Sequence, residues 1–145
     1  MKVENQVTLD FPSRSANEGF ARTVAACFAA QLDPTLEEVN DVKTAVSEAV
    51  TNAIVHAYPD TLGKIVLKLR IRDDHSLEIV VRDWGVGIAD VEQARQPLFT
   101  TGNEDRSGMG FTIMESFMDV LRVRSLPGRG TSVTMRRSIA RRAGR

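Results

Sequence analysis

Two polar side chains, Glu48 and Asn52, lie four residues apart in a segment whose apolar residues follow a helical repeat. The repeat consists of Leu36, Val39, Val42, Val46, Val50 and Ile54. Residues four apart lie on one helix face, so both side chains project together, beside the apolar stripe. A carboxylate and a carboxamide at the edge of a core can contact a ligand in a cleft. The alternative is a solvated Glu and Asn on an amphipathic helix.

A second candidate is the motif Asp83-x-Gly85-x-Gly87, which directly follows an apolar segment. Glycine lets the backbone approach a flat ligand or adopt a positive φ, where a Cβ would collide. The neighbouring aspartate can accept a hydrogen bond from an exocyclic amine such as that of adenine. The alternative is an ordinary turn at the end of a strand.

A third candidate is Gly108-Met109-Gly110, which precedes a predicted helix. The apolar positions of that helix are Phe111, Met114, Phe117, Met118 and Leu121. Free N–H groups and the helix dipole attract phosphate at such a start, although the pair can also be a loop hinge. The preceding segment, about 96–107, has little periodicity and the length of a lid.

Other site classes do not fit the sequence. Gly63-Lys64 lacks the upstream glycine of a P-loop, and neither glycine pair extends to the third glycine of a dinucleotide fold. His56 and His75 have no partner at metal-ligand spacing, so we expect no zinc site. A G-x-S-x-G element is also missing.

Length and composition predict one water-soluble domain. A chain of 145 residues can bury about 70% of its unfolded surface. No apolar run reaches the roughly 18 residues of a membrane span, and the N-terminus lacks a signal-peptide core. The single cysteine, Cys27, cannot form an internal disulfide and is predicted to be a small core residue. We therefore expect a reducing, cytoplasmic location and no membrane partner.

Charge is unevenly placed along the chain. Lys and Arg total 19, as do Asp and Glu, but five arginines lie in the last ten residues. The remainder therefore has 14 basic residues against 19 acidic ones. An acidic body argues against direct nucleic-acid binding. We interpret 1–138 as the domain and 139–145 as a flexible basic tail.

The first half of the chain predicts one strand and two helices. Residues 7–11 alternate as in a half-buried strand. Ser15 and Glu18 have the spacing of a capping box. The helix that follows has its apolar face at Phe20, Val24, Cys27, Phe28 and Leu32. Asp33 and Pro34 are expected to cap and begin the second helix, which ends near Ala57.

The second half predicts two hairpins. Residues 65–71 and 77–81 alternate around a short turn, and 120–126 and 131–135 flank the turn 127–130. Hairpin-connected strands with helices on one face indicate an α+β two-layer sandwich with a mostly antiparallel sheet.

The motifs together resemble the four boxes of the GHKL, or Bergerat-fold, ATPase and kinase superfamily. The order is Glu48-x-x-x-Asn52, Asp83-x-Gly85-x-Gly87, a lid, Gly108-x-Gly110 and Gly130-Thr131. Segments 47–53, 95–101 and 107–111 are most similar to the sporulation anti-sigma-F factors, which are serine kinases. The resemblance covers nearly the whole chain, which has no room for the added domains of sensor histidine kinases or gyrase.

The resemblance implies roles for individual residues. It implies that Asn52 ligates Mg²⁺, which bridges the phosphates of ATP, and that Glu48 is the general base. Adenine is expected at Asp83, Gly85, Gly87 and Thr131, and phosphates at Gly108 and Gly110. Arg106 is expected to stabilise charge on the γ-phosphate, the alternative being an exposed loop arginine. Thr100 and Thr101 either contact phosphate or cap a turn.

The resemblance also implies partners. We expect a homodimer that sequesters a sigma factor of the sigma-F type and phosphorylates a serine of an anti-anti-sigma protein. Arg22, on the first helix, is a candidate partner contact, the alternative being a solvated arginine. The rival hypotheses are a nucleotide-gated binding module without useful transferase activity and a stand-alone ATPase.

Overall fold

A computed structural model describes residues 2–96 and 109–141 of the chain. In these residues the helical elements are α1 (Ala16–Ala29), a 3₁₀ turn (Ala30–Leu32), α2 (Leu36–Asn52), a π-helical segment (Ala53–Ala57), α3 (Val91–Ala94) and α4 (Gly110–Phe117). The strands are β1 (Val3–Pro12), β2 (Lys64–Arg72), β3 (Ser76–Asp83), β4 (Val120–Leu126) and β5 (Gly130–Ser138).

The five strands form one antiparallel sheet in the order β1-β2-β3-β5-β4. Both predicted hairpins are confirmed, as β2–β3 and β4–β5. The inward side chains of the sheet pack against α1, α2 and α4, which form the second layer. The predicted α+β two-layer architecture is therefore confirmed.

The core lies between the two layers. Its fully buried side chains include Leu67, Leu69, Ile79, Val46 and Met114. Inward residues alternate along each central strand, as the predicted period of two requires. Burial of these side chains, at about 25 cal/mol per Å² of apolar surface, stabilises the sheet against the helices.

The apolar face predicted for α1 is wrong at two positions. Phe20 is 56% exposed, and Cys27 is exposed rather than a core residue. The buried side of the helix consists of Ala21, Ala25, Phe28 and Ala29. Three small alanines let α1 approach its neighbours closely, which turns the larger Phe20 outward. The stripe of α2 is likewise wrong at its first member, because Leu36 is 76% exposed.

The predicted helix caps are also corrected. Ser15 makes no side-chain cap hydrogen bond to α1. Helix α2 begins after Thr35, whose Oγ1 accepts from the Glu38 N–H at 3.1 Å while Glu38 Oε1 accepts from the Thr35 N–H at 2.8 Å. Asp33 instead adopts a left-handed conformation with φ of 51° at the end of the 3₁₀ turn. The capping box therefore lies two residues beyond the predicted cap.

The end of β5 continues into the core at Ile139, which is 3% exposed. Its N–H donates to the His75 carbonyl oxygen at 3.1 Å. Ile139 is the first residue of the predicted basic tail, 139–145, so the tail as predicted includes a core residue. The last four residues, 142–145, lie outside the described part of the chain.

Replacing the observed cap should destabilise the fold, whereas replacing the expected one should not. Thr35→Ala removes the acceptor for the Glu38 N–H and should lower the free energy of unfolding by about 1 kcal/mol. Ser15→Ala is the matched control, because Ser15 makes no side-chain cap bond, and should change it by less than about 0.5 kcal/mol. Urea unfolding followed by circular dichroism measures both. An equal loss in the two variants would contradict the assignment.

Candidate nucleotide site

Helix α2 carries Glu48 and Asn52 on a half-buried face next to the core. Its inner side is fixed by the buried residues Val42, Val46 and Val50. Because Glu48 and Asn52 are one turn apart, this packing also sets the direction of both polar side chains. The predicted position of the two residues, at the margin of the core, agrees with their burial.

The start of α4 lies directly against these two side chains. A Cβ at Gly110 would lie 3.1 Å from Asn52 Nδ2, 3.2 Å from Asn52 Oδ1 and 3.3 Å from Glu48 Oε2. These distances are tighter than most real Cβ contacts, so Gly110 permits the approach. The structure thus brings together three residues from two sequence motifs, with a helix N-terminus beside a carboxylate and a carboxamide.

Asp83, the last residue of β3, has a buried carboxyl group that is 5% exposed. Its Oδ1 accepts from the N–H of Gly85 at 3.0 Å and from the N–H of Thr131 at 3.1 Å. Burial raises the pKa of Asp83, although both N–H groups and the nearby Arg82 oppose the shift. The carboxyl group therefore joins the loop after β3 to the start of β5.

Gly85 and Gly87 are required by contacts within the protein. A Cβ at Gly85 would overlap the carbonyl oxygen of Ala57. Gly87 has φ of 78°, and a Cβ there would overlap the carbonyl oxygen of Leu126. The sequence predicts glycine here either for approach to a flat ligand or for a positive φ, and Gly87 has the positive φ. The contacts that demand glycine here are with the chain's own backbone.

The π-helical segment links the two parts of the site. It begins immediately after Asn52 and ends at Ala57, whose carbonyl oxygen accepts from the Val86 N–H at 3.0 Å. One five-residue segment therefore runs from the Glu48–Asn52 face to the loop that follows Asp83. π-Helical turns are rare and often occur at functional sites.

Two residues that sequence reasoning missed hold this loop. The Tyr58 hydroxyl accepts from the Trp84 N–H and donates to the Lys64 carbonyl oxygen, each at 2.7 Å. Ser125 Oγ accepts from the Ile88 N–H at 2.7 Å and lies 2.7 Å from Thr131 Oγ1. Tyr58 directly follows the predicted end of the second helix, near Ala57. No local pattern in the sequence indicates either long-range bond.

The remaining predicted residues have these positions. Thr131 is buried beside Asp83, as described above. Arg22 is half-buried on α1, with its Nη1 3.4 Å from Glu18 Oε1 and 3.5 Å from Ser47 Oγ, next in sequence to Glu48. Thr100, Thr101, Arg106 and Gly108 lie outside the described residues, as does most of the expected lid.

The family model of the histidine kinase-like ATPase domain matches residues 11–137. This chain belongs to that family. It is 57% identical to an anti-sigma F factor of Caldanaerobacter subterraneus subsp. tengcongensis, over 97% of this chain and 99% of the relative. It is 53% identical to an anti-sigma F factor of Geobacillus kaustophilus, over 96% of each. The resemblance to the GHKL superfamily is therefore confirmed.

Solved structures show the same fold at lower identity. The structure of the RsbU and RsbW domains of a Mycobacterium tuberculosis protein matches with a TM-score of 0.69 and 19% identity, over 96% of this chain and 33% of that one. The mycobacterial sensor histidine kinase MprB matches with a TM-score of 0.57 and 22% identity, over 72% of this chain and 74% of that one.

In the described residues, no helix has the length and apolarity to cross a membrane.

The buried carboxyl group of Asp83 should make stability depend on pH. Because its pKa is raised in the folded state, the folded protein keeps this proton to a higher pH than the unfolded chain, whose Asp pKa is about 3.9. Between the two pKa values unfolding releases a proton, so this contribution to stability is complete below about pH 3.9 and is lost as pH rises through the folded-state pKa.

Asp83→Asn keeps an oxygen acceptor and removes the titration. The free energy of unfolding of the natural protein, minus that of Asp83→Asn, should therefore fall as pH rises through this window and level off above it. Urea unfolding at a series of pH values measures the difference. Asp60→Asn, which removes one exposed carboxylate, is the control for charge loss. A difference that rises with pH would contradict the raised pKa.

Proposed function

We propose that this chain is an anti-sigma factor of the sigma-F type and an ATP-dependent protein serine kinase. It would sequester a sporulation sigma factor and phosphorylate a serine of its anti-anti-sigma antagonist. The observation that carries the proposal is the contact of Gly110 with both Glu48 and Asn52, in a chain that is 57% identical to an anti-sigma F factor.

Adenine recognition is assigned to Asp83. Both hydrogen bonds described above are accepted by its Oδ1. We assign Oδ2 the role of acceptor for the exocyclic amine of adenine, in a site whose walls are the Gly85–Gly87 loop and Thr131. A rigid, internally bonded loop supports this role, because the carboxyl group is oriented before the base arrives.

Phosphate and metal binding are assigned to the other end of the π-helical segment. The N-terminus of α4 presents backbone N–H groups and a positive dipole end to the phosphates. Asn52 Oδ1 is a hard oxygen ligand that suits Mg²⁺, and Gly110 lets the start of α4 lie close to it. Bound Mg²⁺ neutralises charge on the phosphates during transfer. Gly108, Arg106, Thr100 and Thr101 remain proposed phosphate contacts.

Glu48 is assigned as general base. Its carboxylate would take the proton of the substrate serine as the serine oxygen attacks the γ-phosphorus. The bond from that phosphorus to the bridging oxygen breaks, and ADP leaves. A base in this position contributes about 10²–10⁴-fold to rate.

Partner binding is assigned to the exposed surface of α1. Phe20 is 56% exposed on this helix, and the Arg22 side chain, which is 41% exposed, lies 3.5 Å from Ser47 on its α2 side. Exposed aromatic and arginine side chains are the residue types that dominate protein interfaces. Dimerisation is assigned to the free edge of β1, where Val3 and Val7 are exposed.

Glu48→Gln should retain Mg-ATP binding and lower phosphate transfer to the antagonist protein by at least about 10²-fold. Transfer is measured with γ-labelled ATP, and nucleotide affinity by calorimetry. Glu37→Gln, an exposed position in the first turn of α2, is the matched control and should keep full transfer. Unchanged transfer in Glu48→Gln would remove Glu48 as the base. If the natural protein transfers no label yet still binds the sigma factor, the gated-module hypothesis is favoured.

Asn52→Ala should remove the magnesium dependence of ATP binding. Without the carboxamide oxygen, ATP affinity in excess Mg²⁺ should fall at least about tenfold, towards the value measured in EDTA. Thr51→Ala, the adjacent half-buried position, is the control and should keep the dependence. If Asn52→Ala binds Mg-ATP like the natural protein, Asn52 is not the ligand.

A further inference from the structure

The side of the sheet opposite the helices, called here the outer face, is not used by the proposed nucleotide site. Along β3, β5 and β4 its side chains alternate with the core residues. The outer positions are Ser76, Glu78, Val80 and Arg82 on β3, Gly130, Ser132, Thr134, Arg136 and Ser138 on β5, and Val120, Arg122, Arg124 and Leu126 on β4.

This half of the outer face is strongly basic. It carries Arg82, Arg122, Arg124 and Arg136 against one carboxylate, Glu78. That carboxylate is already shared by two arginines of β2, Arg70 at 3.0 Å and Arg72 at 2.5 Å. Arg82, Arg122 and Arg124 are all exposed. Since the whole chain has a formal net charge of zero, the basic surface is a local concentration.

One end of this surface is apolar. Gly130 pairs with Leu126 across the β4–β5 ladder, and on its other side a Cβ at Gly130 would lie 2.6 Å from the Trp84 Cα. Trp84 is 45% exposed and Leu126 is 61% exposed. A Cβ at Gly130 would also overlap the Asp83 carbonyl oxygen, so backbone fills this position, and the exposed Trp84 and Leu126 side chains lie on either side of it. We call Trp84, Gly130 and Leu126 the seat.

The indole ring of the seat is held in place by cations. The Arg82 guanidinium lies 4.9 Å from the ring centroid, and the Lys64 ammonium lies 5.5 Å from it. Such cation–π contacts order an exposed aromatic side chain before a partner binds, which lowers the entropy cost of binding. Trp and Arg are also the residues most enriched among interface hot spots.

We propose that the seat and the arginines around it form a docking surface for an acidic protein segment. An apolar side chain of the partner contacts Trp84 and Leu126, and flanking carboxylates pair with Arg82 and Arg124. An apolar centre with a charged rim is the usual anatomy of a protein interface. This surface lies on the opposite side of the sheet from the proposed nucleotide site, although Trp84 and Gly130 are next in sequence to Asp83 and Thr131.

A nucleic acid fits these observations less well. Binding to single strands relies on bases that stack on exposed aromatic rings. Here two cations already lie over the indole, so a base would have to displace them. Carboxylates pair with those same cations, and the exposed Leu126 favours an aliphatic contact.

The chain has a single tryptophan, so its fluorescence reports on the seat directly. The natural protein is titrated with a peptide of three Glu-Glu-Leu-Asp repeats, and Trp84 emission is recorded at low and high salt. We expect a saturable change whose affinity falls with salt. A peptide with Ser in place of each Leu should bind at least about tenfold more weakly, because it lacks the apolar residue.

Three variants test the surface. Arg82→Glu combined with Arg124→Glu should weaken the Leu peptide at least about tenfold through charge. Leu126→Ser keeps every charge and should cost a similar factor. Lys2→Glu is the matched control, because Lys2 is exposed at the opposite end of the sheet, where its carbonyl oxygen accepts from Asp73 N–H. It should change the affinity by less than about twofold. Circular dichroism confirms that each variant is folded.

Four results would overturn the proposal. They are equal affinity for the Leu and Ser peptides, an unaffected Leu126→Ser variant, and an equal loss in Lys2→Glu. The fourth is a different occupant, shown either by tighter binding of a single-stranded oligothymidylate of the same charge, which would make the surface a nucleic-acid site, or by loss of self-association in Leu126→Ser, measured by sedimentation, which would make the occupant a second copy.

Discussion

The position of α4 against α2 is the constraint on which the candidate site depends. At its start, Gly110 has no side chain and lies against Asn52 and Glu48. At its end, the Phe117 carbonyl oxygen accepts from Arg137 Nη1 at 2.7 Å, and the same nitrogen lies 2.7 Å from Asp41 Oδ2. Asp41 and Asn52 are both on α2. Two contacts therefore fix α4 antiparallel to α2 along roughly 12 Å of helix.

These two contacts differ in their physical nature. The Arg137–Asp41 pair is mostly buried, with side chains 18% and 15% exposed, so loss of one partner would leave a poorly solvated charge. The Gly110 contact depends on shape, since a Cβ there would require the ends of the Asn52 and Glu48 side chains to shift. The ion pair near one end of α4 and the close contact at Gly110 at its other end together set the distance between α4 and the polar face of α2.

The last residue of β3 and the residue after it carry side chains on opposite sides of the sheet. Asp83 points inward, where its carboxyl group joins two backbone segments, and Trp84 points outward into the seat. The Trp84 N–H donates to Tyr58, which follows the π-helical segment that begins after Asn52. The same short backbone segment therefore supports the proposed nucleotide site and the proposed docking surface.

The elements of this fold were largely predictable from sequence because their signals are local. Period-two alternation identified β2 and β3, and the hairpin turns set their antiparallel pairing. The errors arose where packing decides between similar faces. Periodicity alone favoured Phe20 and Cys27 as core residues, but the alanines on the other side allow a closer approach to neighbouring elements. Both Ser15 and Thr35 likewise have the sequence spacing of a capping box, but only Thr35 forms its hydrogen bonds.

The site was predictable only in part, for a related reason. The spacing of Glu48 and Asn52 predicted that they lie on one helix face. The glycines indicated positions of close approach, but the sequence does not tell which atoms each glycine approaches. The π-helical turn after Asn52 has no sequence signature, yet it directs the Ala57 carbonyl oxygen to Val86 N–H and brings the backbone against Gly85. The Ala57 carbonyl oxygen lies at the end of the helical segment, where carbonyl groups have no intrahelical partner, and it accepts from the Val86 N–H instead. The segment therefore connects the polar face of α2 to the Asp83 loop through a contact that is distant in sequence, which local rules do not predict.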